Sequence, residues 1–134
     1  MALPTDKQAR KNTPIYSGVL KYFPDALAEV ARVSFIGNQQ HNPGEPLHWA
    51  KEKSQDEPDA CVRHLMESEN ADGTPRLDED NTYHAAKAAW RALAHLQRML
   101  DKVNAQQPPL NTATMGCVSN ALGMRTDDSG ALVM

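Results

Sequence analysis

The sequence predicts an all-α protein: a small bundle of three main helices with an irregular loop and a C-terminal tail, completed by oligomerisation. Three observations predict it. Apolar residues recur at helical spacing in two long stretches, Val19 to Ser34 and Ala86 to Val103. Proline beside acids, a helix-start signal, appears at Pro24-Asp25 and again at Asp56-Glu57-Pro58-Asp59. With 134 residues, 40% hydrophobic but only 5% aromatic, three helices bury comparatively little surface, and association with further copies is the natural way to complete the core.

The elements follow in order. Residues 1–14 are polar, hold Pro4 and Pro14, and read as an extended arm. Ser17 is a candidate cap for a short first turn ending near Phe23. Pro24 then opens the first main helix, and Gly37-Asn38 reads as its C-terminal stop. Residues 38–54, with Pro43, Gly44 and Pro46, read as a loop. Trp49 inside that loop is either a lid on the core or an aromatic wall against a base. The second helix runs from near Asp56 to about Ser68, and Glu69 to Pro75 is a turn. The third and longest runs from about Tyr83 to Val103, and Pro108-Pro109 follows it. On its wheel, Ala86, Ala89, Leu93, Leu96, Leu100 and Val103 form the core stripe. Lys87, Arg91 and Arg98 form a strip expected to meet solvent. One helical domain over 15–104 and an irregular tail over 105–134 complete the expected organisation.

Charge and motifs exclude several classes. A net charge of −3 with no basic stripe argues against a partner with a nucleic-acid backbone. Cys61 and Cys117 have neither CxxC spacing nor companions, so no zinc cluster or disulfide framework is signalled. No apolar run is long enough for a membrane span and no signal-peptide core is visible, which predicts a cytoplasmic protein. His-Asp, HExxH and GxSxG are all absent.

The residues that could carry chemistry gather at helix ends. Arg63-His64 follows Asp59 on the second helix, and Asp80 precedes His84 by four residues at the start of the third. Asp59 and Arg63 at i, i+4 could simply form an intrahelical ion pair, but that leaves His64 unexplained. Arginine grips phosphate with its planar fork, and histidine adds a donor, a metal bond or a proton relay. Glu29 sits among apolar neighbours, as either a surface ion-pair partner or a buried ligand. Asp78, Glu79 and Asp80 are either a dipole patch or a ligand loop.

Three blocks together carry a resemblance: Pro24-Asp25-Ala26-Leu27-Ala28-Glu29-Val30-Ala31 to Gly37 with Trp49; Asp59-Ala60 with Arg63-His64-Leu65; and Asp80 with His84-Ala85-Ala86-Lys87-Ala88-Ala89-Trp90. Over about residues 15–103 the chain resembles the dATP/dGTP diphosphohydrolase N-terminal domain family. That family occurs mostly in bacteriophages and prophages and is similar to the all-α, MazG-like nucleotide pyrophosphohydrolases. The resemblance implies a helical fold, a deoxynucleoside triphosphate ligand of the dGTP or dATP type, and Mg2+-dependent release of pyrophosphate, in the host cytoplasm if phage-encoded. It matches Glu29, Asp59 and Asp80 to acidic positions, as metal ligands. Arg63-His64 match the paired basic motif and His84 the histidine opening the last helix. In that reading His64 and His84 are catalytic, Lys21 and Arg63 neutralise phosphate charge, and Trp49 covers the base. The chain departs from MazG-like enzymes in lacking a helical ExxE and ExxD pair. Asp25 and Glu29 are four apart, and Glu69-Asn70-Ala71-Asp72 lies in the predicted turn. The alternative is a phage protein that sequesters a nucleotide or nucleotide signal without turnover.

Overall fold

A computed structural model describes residues 3–107, together with the backbone of two short strands, β1 (Arg125–Thr126) and β2 (Leu132–Val133). The expectations for the rest of the tail lie outside the described residues. The chain forms two compact units, Met1–Leu100 and Asp101–Met134. In the second, β1 and β2 pair antiparallel with Arg125 opposite Val133.

The fold class is all-α. Among the described residues four helices follow in order: α1 (Lys7–Lys11), α2 (Pro24–His41), α3 (Glu57–Met66) and α4 (His84–Gln106), with one π-helical turn at Tyr16–Leu20. The arm expected to be extended thus contains a helix. The Asp6 carboxylate accepts from the Ala9 amide at 2.7 Å and starts it, a cap whose five-residue product is too short to show periodicity. Ser17 lies inside the π turn, and no side chain caps that turn.

Pro24 at the first position opens α2 as its fixed φ favours. The helix does not stop at Gly37-Asn38. Asn38 is buried, and its side-chain amide donates to the Glu45 carbonyl at 2.9 Å while its oxygen accepts the His48 amide at 3.3 Å. Those bonds tie down the following loop, so the asparagine anchors that loop and the helix continues to His41.

The α4 helix links the other two long helices. Trp90 Nε1 donates to Ser34 Oγ on α2 at 2.7 Å, and Cys61 Sγ on α3 reaches the Ala88 carbonyl at 3.3 Å. Glu57, at the start of α3, is fully buried and accepts from Arg98 at 2.6 Å; Arg98 also donates to the Ser54 carbonyl. The strip expected to face solvent therefore does not: Lys87 and Arg98 are mostly buried in ion pairs. Among the described residues the buried apolar positions are Ala60, Ala86, Ala88 and Ala94, small side chains that let helix backbones approach closely. Leu93, Leu96 and Leu100, expected in the core, are about half exposed. The described chain supplies no layer to cover them.

Candidate functional site

The segment between α3 and α4 folds on itself before α4 begins. Isolated antiparallel bridges join Glu69 to Pro75 and Leu77 to Tyr83. Backbone bonds from Arg76 to Ser68 and from His84 to Arg76 return the chain to the end of α3. Inside the second bridge, Asp80 accepts the Thr82 amide at 3.1 Å and hydroxyl at 2.6 Å, an aspartate turn that needs no distant partner. Asn81 takes φ 59°, which asparagine tolerates better than most residues, and its carbonyl accepts Arg32 of α2 at 2.6 Å.

This return places His64, in the last turn of α3, against His84, the first residue of α4. Their Nδ1 atoms are 3.0 Å apart and their rings are tilted by 36°. At that separation one nitrogen carries the proton and the other accepts it. His84 is buried, and its Nδ1 is also 3.5 Å from Glu67 Oε2 and 4.0 Å from Asp78 Oδ2. Beside it Lys87, one turn along α4, lies between Asp78 at 2.6 Å and Asp80 at 2.8 Å.

Electrostatics follows the contacts. Burial alone raises the Asp80 carboxyl, but hydrogen bonds from Lys87 and Thr82 outweigh it and hold the group at about 2. The hydrogen bond from Lys87 likewise lowers Asp78. Burial works against the Lys87 ammonium, yet its two aspartates raise it above the usual lysine value. Burial, followed by the Lys87 charge, lowers His64 below its ordinary value, so the imidazole is neutral at pH 7.

The sequence-predicted residues divide into two groups. His64, His84 and Asp80 come together around Lys87. The other five stand apart from that contact set. Arg63 is exposed, 3.7 Å from Asp56 rather than paired with Asp59, and Asp59 is exposed on α3. Lys21 is exposed, its ammonium 5.8 Å from the Tyr16 ring. Trp49 meets Trp90 edge to face at 5.5 Å over a cleft of about 400 Å³ lined by Leu27, Ser34 and Leu93 among others. Glu29 lies 3.9 Å from Arg32, and its Oε2 is buried without a hydrogen-bond partner.

Glu29, Asp59 and Asp80 do not form a common ligand set. Among the described residues, only His64, Glu67 and His84 bring three potential ligand atoms within 4.8 Å of one another. Asp80 is already committed to Lys87 and Thr82. A carboxylate cage of the kind Mg2+ prefers is therefore a poor fit to those three positions. Sequence reasoning missed Glu67 and the role of Lys87. The signal for Glu67 was its spacing, three residues after His64 and so on the same helix face; for Lys87 it was i+3 from His84.

A family model described as dATP/dGTP diphosphohydrolase, N-terminal, matches residues 4–107. The chain belongs to that family. The match spans α1 to the end of α4 and so contains the whole histidine cluster. No curated protein and no solved structure matches the chain. Among the described residues no helix is long and apolar enough to cross a membrane.

Proposed function

We propose that this domain hydrolyses a deoxynucleoside triphosphate of the dGTP or dATP type, taken up as its Mg2+ complex, and releases pyrophosphate. The observation that carries this reading is the close pairing of His64 and His84 beside Lys87, inside the span that matches the family. Water held where the two Nδ1 atoms converge attacks the α-phosphorus. The bond to the β-phosphate oxygen breaks, pyrophosphate leaves, and the proton of the water passes into the His64–His84–Glu67 cluster. A neutral His64 at pH 7 suits that proton transfer.

The Mg2+ arrives as part of the substrate. A polar depression of about 340 Å³ lined by Gln40, Asp78, Glu79, Asp80 and Lys87 lies beside the histidines; an ion taken up there would displace Lys87 from its two aspartates and release the ammonium to phosphate. Arg63, exposed and next in sequence to His64, neutralises charge on the leaving group. Trp49 and its cleft take the base.

One observation favours a second reading, capture of the nucleotide without turnover: Glu29, Asp59 and Asp80 share no ligand cluster. The experiment that tests both is a panel of deoxynucleoside triphosphates with and without Mg2+, read for pyrophosphate and for thermal stabilisation. The hydrolytic reading expects pyrophosphate from dGTP or dATP, and loss of it in His64→Gln and His84→Gln. Stabilisation with no pyrophosphate supports capture. Unchanged turnover in both histidine variants overturns the placement of the site.

A further inference from the structure

The geometry points to a second use of this cluster, exclusive of the proton-accepting one: with both Nδ1 lone pairs given to a metal, His64, Glu67 and His84 form a site for one divalent transition-metal ion of the imidazole-favouring kind, such as zinc or cobalt, in preference to Mg2+. Both imidazoles present the same atom, Nδ1, to one point, and a carboxylate oxygen completes three corners. Ligands held about 2.1 Å from a tetrahedral ion stand roughly 3.4 Å apart. The observed separations are 3.0 Å between the nitrogens and 3.5 Å from His84 Nδ1 to Glu67 Oε2. Two of the three edges are thus within a few tenths of an ångström of coordination spacing, and all three atoms lie within 4.8 Å of one another.

The surroundings are suited to such an ion. His84 is buried and fixed at the first residue of α4, so one ligand is rigid. Glu67 is half exposed at the end of α3, which leaves it free to adjust. Lys87 is the cation that would oppose binding, but it is spanned by Asp78 and Asp80. Together with Glu67 these groups carry two formal negative charges, which a dication neutralises. Three protein ligands leave a coordination position open to water or an anion, as in catalytic rather than structural sites. Two imidazoles in the donor set select against magnesium, a hard ion that favours oxygen and keeps much of its water.

The test uses the full chain stripped of metal by a chelator, without nucleotide. Cobalt and zinc are titrated in a calorimeter, and cobalt is also followed by its visible absorption. The expected result is one ion per chain, with an absorption typical of nitrogen and oxygen ligation, undisturbed by millimolar Mg2+. Glu67→Gln, at an exposed position, and His64→Gln, at a half-buried one, should weaken uptake by at least the roughly 10–100-fold seen on losing an outer-shell partner. Circular dichroism of each variant checks that it folds. No cobalt uptake, uptake equal to the parent in both variants, or displacement by millimolar Mg2+ overturns the assignment. Uptake is measured without substrate, so its failure and a failure of hydrolysis are separate results.

Discussion

Lys87→Met tests the electrostatic centre of the site. In the parent, the ammonium is mostly buried and lies 2.6 Å from Asp78 and 2.8 Å from Asp80. Methionine fills a similar volume but leaves two carboxylates facing each other across it. Removing one partner of a buried ion pair costs about 3–5 kcal/mol. Asp78 retains a quarter of its exposure, so water compensates part of that, and about 2–3 kcal/mol is the expected loss. For a domain of this size the melting temperature should fall by roughly 10 °C. The pH dependence gives an independent check. The Asp80 carboxyl is held at about 2, below its ordinary 3.8. A carboxyl depressed in the folded state contributes stability that is fully present above the unfolded value and is lost as pH falls through the folded one. The gap between parent and variant should therefore be widest above about pH 4 and narrow toward pH 2. Thermal melts followed by circular dichroism at pH 7, 4 and 2.5 measure it. A variant that melts within about 2 °C of the parent at pH 7, or a gap that stays constant with pH, refutes the reasoning.

Two further outcomes follow from the same contacts. The His64 imidazole, lowered by burial and by Lys87, should titrate below 6.5 by proton NMR. Because the unfolded chain then binds its proton first, stability at this position should decline as pH falls from 6.5 toward the folded value; a midpoint above 6.5 contradicts the geometry. Arg98→Met leaves the fully buried Glu57 unpaired and should cost about 3 kcal/mol in urea unfolding. The double variant Glu57→Leu with Arg98→Met should regain most of that, and a double variant worse than the single one counts against the pairing.

Much of the helical frame was legible because its signals are local. Pro24 and the Asp56-Glu57-Pro58-Asp59 run mark starts that α2 and α3 keep to within a residue or so. His64 and His84 were legible as residue types, but not their contact, since nothing in the spacing shows that the 67–83 segment folds back through two bridges. The same blind spot put Lys87 on a solvent strip: a helical wheel registers its own helix and not the aspartates that a neighbouring turn brings over it. Asn38 read as a helix stop because asparagine often is one, and only its bonds to Glu45 and His48 show the other use of the same side chain. The leucines of α4 were assigned to the core from their periodicity, which identifies an apolar face without saying what covers it.

The imidazole pair, Glu67 and the lysine–aspartate bridge all come from residues 64–87, two helices joined by the folded-back segment 67–83. Joining ends so close along the chain carries a small loop-closure entropy, and local contacts form early. The contacts that bring the two rings together lie within this one segment. The candidate site is thus inherited from neighbours in sequence.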